Sequence, residues 1–203
     1  MGFTLEDIKN KLFSDKNPPE LVLFNSIVPM GILGGVIAVG ISFSISSLLL
    51  QNLVCAIGIA LLGLLFYLAN WKGKIKLASI CSIVLMSGIV FPIMFFTGGG
   101  HHSGMTSWFF LAVIFNFLII KKTAFYIVLF MQSIIITICY LLSLHHPEFI
   151  RQIPTETEQV VDILQSLLLS SIVIGCVIKF QNRINQHALD AIKKANEDLR
   201  DSE

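Results

Sequence analysis

The placement of charge constrains this chain more than any other feature. No Asp, Glu, Lys or Arg occurs between Glu20 and Lys72, Lys76 and Lys121, Lys122 and Glu148, or Asp162 and Lys179. Ionised groups at a bilayer centre are costly, so charge-free runs of this length mark membrane-crossing segments. The first run holds 51 residues and the second 44. A crossing helix needs about 20 residues, so these runs each hold two helices and the other two runs hold one each. The expectation is an all-α polytopic membrane protein with six transmembrane helices, at roughly 21–43, 48–70, 77–97, 105–120, 123–144 and 161–179, followed by a polar C-terminal cytoplasmic signalling helix. Composition agrees. Only 13% of residues are charged and 55% are hydrophobic, against about 25% charged in soluble domains. That excludes disorder, a fibrous repeat and an ordinary water-soluble enzyme. A net charge of +1 leaves no nucleic-acid footprint.

Orientation follows from Lys and Arg. Residues 1–20 mix acids and bases without an apolar run, which argues against a secretory signal. Met1-Gly2 opens like a myristoylation site, but Glu6 stands where Ser or Thr is needed. A cytoplasmic interfacial arm ending at Pro18-Pro19 is expected instead. With that arm inside, 13 Lys and Arg residues fall inside and only Arg151 outside, so both termini are cytoplasmic. The chain divides into the arm (1–20), a six-helix domain (21–179) and a linker helix (180–203).

Within the spans, Cys55, Cys81, Cys139 and Cys176 read as small packing residues; no Cys-x-x-Cys motif exists. Gly31 and Gly35 form a G-x-x-x-G pair suited to close packing inside the chain. Pro29 and Pro92 should kink their helices. Asn25, Asn116, Gln132 and Gln165 should face the bundle interior. No span carries an internal carboxylate or Lys, which weighs against a proton-coupled transporter.

The most distinctive segment is Thr97-Gly98-Gly99-Gly100-His101-His102-Ser103-Gly104-Met105, with Trp108 opening the next apolar stretch. Two spans use nearly all of the surrounding uncharged run, so this loop lies at the interface or dips into the bundle. Gly99, Gly100, His101, His102, Ser103, Gly104, Met105 and Trp108 are the candidate ligand-binding residues. The glycines could turn backbone N–H groups towards a bound molecule, beside an apolar wall of Trp108, Phe109 and Phe110. The competing expectation is a tight interfacial turn anchored by Trp108. His101 and His102, with His145 and His146 at the end of span five, form a candidate metal or pH-sensing set; the alternative is interfacial imidazoles bonded to carbonyls or headgroups. Glu148, Glu156, Glu158 and Asp162 make the outer loop acidic, where they would add ligands or simply keep it soluble.

The run FFTGGGHHSGMTSWFF resembles an element of the six-helix membrane sensor domains found N-terminal to sensor histidine kinases and diguanylate cyclases of Firmicutes. Gly99, Gly100, His102, Ser103, Gly104, Met105 and Trp108 match a GG-x-H-SGM-x-x-W-like pattern, while Thr106 stands where Pro is commoner. A looser similarity links it to the GG-x-x-N-P-F loop of quinone-sensing kinases, but Ser103, Gly104 and Met105 replace Asn, Pro and Phe. The resemblance implies a bacterial plasma-membrane input region, working as a parallel homodimer and responding to a small molecule. No cofactor is required, though a metal ion or quinone is conceivable.

The tail from Lys179 to Glu203 lacks Pro and Gly. Leu189, Ile192, Asn196 and Leu199 follow the 3-4-3 spacing of a coiled-coil seam, with Asn196 suited to fixing a parallel dimer register. The alternative is a solvated amphipathic helix. ALDAIKKANEDLRDSE resembles the linker preceding the phosphoacceptor domain of histidine kinases. No phosphoacceptor His box, ATP lid or GGDEF motif occurs in the 203 residues, so catalysis is expected to reside in a following output domain. A cyclase output, or a stand-alone small transporter or scaffold, are the other expectations.

Overall fold

The computed structural model describes residues 12, 17–43, 49–120, 123–151, 153 and 155–200. Most of the N-terminal arm, the turn expected near Ser44–Ser47, and Lys121–Lys122 lie outside the described residues. The described chain is helical throughout: α1 (Pro19–Ser42), α2 (Leu49–Trp71), α3 (Ile75–Leu85), a π turn (Met86–Val90), α4 (Phe91–Thr97), α5 (Met105–Ile119), α6 (Thr123–His145) and α7 (Glu156–Arg200). Short 3₁₀ turns occupy Gly100–His102 and Pro147–Phe149.

Local chemistry sets the boundaries. Pro19 opens α1 in the position where its missing N–H costs nothing. After α2, Gly73 takes a left-handed φ of 66°, the conformation in which glycine ends helices. The chain runs through Pro29 as uninterrupted α-helix. At Pro92 it does not: the preceding turn widens, and the Phe91 N–H reaches back five residues to the Met86 carbonyl. Proline cannot donate to the residue four back and its ring crowds that carbonyl, and the wider turn accommodates Pro92.

Five helices are long and apolar enough to cross a membrane: Glu20–Ser42, Leu49–Trp71, Ile75–Thr97, Ala124–His145 and Glu156–Gln186. The fourth expected span, α5, is apolar but has 15 residues, about 22 Å of helix against roughly 30 Å of hydrocarbon. Large apolar residues such as Leu33, Ile80, Phe130 and Ile172 point outwards, a surface suited to lipid rather than water.

The helix directions follow from paired contacts. Asn25 and Asn70 exchange reciprocal amide hydrogen bonds of 2.8 Å, and a Cβ on Gly35 would lie 3.0 Å from Ile59, so α1 and α2 are antiparallel. Ser42 pairs with Gln165, and Gly34 abuts Val173, making α1 and α7 antiparallel. Thr106 bonds Tyr140, Asn116 donates to Gln132 at 2.5 Å, and Phe117 packs edge-on to Phe125. Thus α5 runs antiparallel to α6 along most of its length. The Gly104–Asp162 and Trp108–Ser166 contacts keep one constant offset, so α5 and α7 run parallel. Gly31, Gly34 and Gly35 each face a different neighbour within the chain, namely Phe115, Val173 and Ile59. The four cysteines are unpaired, with Cys55 and Cys139 buried.

One expectation needs correction. Asp162 belongs to an apolar helix and is only 3% exposed; it is not part of a solvated acidic loop. Its hydrogen bond to a loop N–H, described below, holds the carboxylate inside.

Candidate functional site

The Gly98–Gly104 segment closes one end of the bundle, and its sequence is dictated by contact. Gly99 and Gly100 adopt φ of 105° and 63°, which L side chains rarely take. A Cβ on Gly98 would sit 2.2 Å from Gln51 Oε1. On Gly104 it would sit 2.2 Å from Ser166 Oγ and 2.6 Å from the Asp162 carbonyl oxygen. Gly98 is therefore roofed by α2, Gly99 and Gly100 by Ile153 and Ile150 of the α6–α7 loop, and Gly104 by α7.

The backbone N–H groups from His101 to Met105 are bonded within the protein. His101 N–H reaches Ser143 Oγ at 3.4 Å. His102 and Ser103 donate to Gly99 and Gly100 carbonyls at 3.2 Å. Gly104 N–H donates to Asp162 Oδ2 at 2.7 Å, and Met105 N–H to Ser103 Oγ at 3.3 Å. The Ser103 hydroxyl donates to the Gly100 carbonyl at 2.7 Å. The loop is thus a packed plug, and of its candidate residues Trp108 alone reaches an interior cavity beneath it, while Gly99, His101 and His102 line a second cavity with about 250 Å³ of space for water-sized molecules.

The interior cavity has about 90 Å³ of space for water-sized molecules. α1, α2, the α3–α4 stretch, α5 and α7 enclose it, and α6 contributes none of its lining. Its plug end is polar. Ser42, Gln51, Asn52, Asp162, Gln165 and Ser166 converge there, all under 10% exposed. Gln165 Nε2 donates to the Ala38 carbonyl at 2.9 Å and to Ser42 Oγ at 3.1 Å. Trp108 Nε1 donates to Ser166 Oγ at 3.3 Å. Gln51 Oε1 and Asn52 Nδ2 are buried without a partner. Deeper in, Cys55, Ile59, Phe91, Leu111 and Ala112 make an apolar wall. Ser87, Asn116 and Gln132 form a buried chain of hydrogen bonds beside it, so Asn116 and Gln132 face the interior as their polarity requires.

The histidines stay at the plug end without converging on one point. His101 Nδ1 lies 2.5 Å from Ser143 Oγ, and its ring lies 3.9 Å from that of His102. His145 Nδ1 meets the Leu141 carbonyl, and His146 Nδ1 pairs with Glu148 at 2.8 Å. Among the described residues no group of three or more His, Cys, Asp or Glu is arranged to hold a metal ion. Burial and the neighbouring His102 push the His101 imidazole below its usual range. The hydrogen bond from His146 holds Glu148 below the usual carboxylate range.

At the far end, α7 continues unbroken to Arg200. Leu189 and Ile192 are 56% and 58% exposed and Asn196 is exposed; the Leu199 side chain lies outside the described residues. Sequence reasoning missed Gln51, Asn52, Asp162 and Ser166 as site residues. Gln51 and Asn52 carried a signal, as two adjacent amides at the start of an apolar run. Compared with protein-family models, curated proteins and solved structures, the chain matches none.

Proposed function

We propose that this chain is the membrane input region of a bacterial sensor histidine kinase. It sits in the plasma membrane with six crossings and both termini cytoplasmic, and pairs as a parallel homodimer. One observation carries this reading: the helix that supplies Asp162, Gln165 and Ser166 to the interior cavity is the same 45-residue helix that ends at Arg200. Occupancy of the cavity and the position of the tail are therefore mechanically joined, with no loop between them. The exposed Leu189 and Ile192 supply an apolar seam for a second copy. The antiparallel α5–α6 pairing, which brings Thr106 beside Tyr140 and Phe117 beside Phe125, supports a full crossing by α5 despite its length.

Fusing the chain to the phosphoacceptor and ATP-binding domains of a heterologous kinase tests the reading. Zero to seven alanines are inserted after Arg183 and autophosphorylation is measured in membranes. Activity should rise and fall with the helical repeat, recovering after about seven inserted residues. Activity independent of phase rejects the input-region reading.

The burial of Asp162 beside a cavity favours a second reading, a small-solute transporter, because buried carboxylates line many transport paths. Solute flux into vesicles that disappears in Asp162→Asn, with no phase dependence in the fusions, would establish it.

A further inference from the structure

We infer that the interior cavity is a binding site for a small uncharged solute with a hydroxyl or amide head and a short apolar tail. Its head would lie against Gln51 and Asn52. This deepens the input-region reading and rests on it for its role in signalling, whereas the binding itself is a property of the bundle.

The polar end of the cavity is incomplete. Gln51 and Asn52 are 6% and 7% exposed, yet Gln51 Oε1 and Asn52 Nδ2 have no hydrogen-bond partner. Gln51 Oε1 rests over the bare Cα of Gly98, and its Nε2 reaches only the Met105 sulfur at 3.9 Å. A buried polar group left unpaired is costly, and such groups in a roomy polar site attract water or ligand. The neighbouring Gln165, Ser42, Trp108 and Ser166 are already bonded to one another or to the Ala38 carbonyl. The open valences are thus one acceptor and one donor on adjacent residues of α2.

That pair selects the head. A hydroxyl or primary amide both donates and accepts, and so completes both. An anion would confront the Gln51 oxygen and the Asp162 carboxylate, and an ammonium, which only donates, would leave the Asn52 donor unpaired. Cys55, Ile59, Phe91, Leu111 and Ala112 form the apolar remainder, which selects a hydrocarbon tail. The space of about 90 Å³ limits the guest to a few heavy atoms; an apolar cavity of about 150 Å³ admits benzene.

Trp108 lines the cavity, and the only other tryptophan, Trp71, is half exposed at the far end of α2. A Trp71→Phe protein in lipid nanodiscs therefore reports cavity occupancy through Trp108 fluorescence, which bromine quenches on contact. The probes are 3-bromopropan-1-ol and its headless counterpart 1-bromopropane. The alcohol should quench saturably, in the millimolar range expected of so small a molecule. Asn52→Leu, which keeps the volume and removes the donor, should weaken it about tenfold. Ala112→Leu, which fills the space from the opposite wall, should abolish saturation, so the test survives if either variant misfolds. Quenching that is linear in concentration, or equal for both probes, or unchanged in Asn52→Leu, overturns the inference: the cavity then holds only water or lipid tails. Because no output domain or tail phase enters the measurement, its failure leaves the kinase fusions as an independent test of the input-region reading.

Discussion

At the scale of single residues, the contact between Gly104 and Asp162 decides how the plug is seated. Gly104 has an ordinary φ of −70°, so its constraint is space alone. Gly104→Ala drives a methyl into the Asp162 backbone oxygen, which cannot rotate away. The expected cost is about 1–3 kcal/mol, the usual range for overpacking. Asp162→Ala leaves the Gly104 N–H buried and unpaired and should cost a similar ~1–3 kcal/mol, whereas Asp162→Asn, which retains an acceptor, should cost less. Thermal unfolding of the three variants in nanodiscs provides the comparison; equal midpoints for Asn and Ala would mean that this hydrogen bond contributes nothing. His101 adds a pH dependence. The Ser143 hydroxyl accepts the His101 N–H, which leaves its proton for Nδ1 of a neutral imidazole. With its value lowered from 6.5 by burial and His102, the unfolded chain takes up the proton first as pH falls. The stability contributed by neutral His101 is complete above about pH 6.5 and declines below it. Unfolding midpoints between pH 7.5 and 5.5 should fall in the parent protein and fall less in His101→Gln.

At the scale of elements, the charge-free runs located the helix ends that lie beside a charge, because the bilayer's penalty on charge is severe and local. Lys72, Lys121 and Glu148 border helices that end or begin within a few residues of them. What escaped was decided between elements. Nothing in the spacing around Asp162 indicates that Gly104 will offer it a buried N–H, since the two residues are far apart in sequence and meet only because α5 and α7 run parallel. Likewise the G-G-G run announced a tight turn but not what roofs it, which depends on Gln51, Ile150 and Ile153 arriving from three other segments. The tail stripe is legible as a spacing, and Leu189 and Ile192 are exposed in the single chain. In a cysteine-free background, single cysteines at 189, 192 and 196 should crosslink strongly and those at 190 and 193 weakly, following the 3-4 repeat. Uniform crosslinking would mean an unpaired helix.

At the scale of the whole molecule, α5 decides the topology. If this 15-residue helix crosses, six passes return the C-terminus to the side of the N-terminus; if it does not, the two ends face opposite compartments. Its extended antiparallel contact with α6, together with the inside bias of Lys and Arg, leads us to expect six. Reporter fusions at Lys74 and Glu203 should read as cytoplasmic, and those at His102 and Thr155 as external. A cytoplasmic Thr155 would remove one crossing.

The unbroken course of α7 also has a geometric consequence. Asp162, Gln165 and Ser166 clamp the helix near one end, and Arg200 lies 35 residues beyond Gln165, about 52 Å along the axis. The helix is then a lever with a short, gripped arm and a long one. A tilt of about 5° at the clamp, which shifts the cavity-lining side chains by well under 1 Å, carries the far tip by about 4–5 Å if the rod stays straight. In the input-region reading we propose, stiffness between Ser166 and Arg200 thereby becomes a functional quantity in its own right, and a glycine pair introduced at Lys179 and Phe180 should uncouple the two ends while leaving each locally intact.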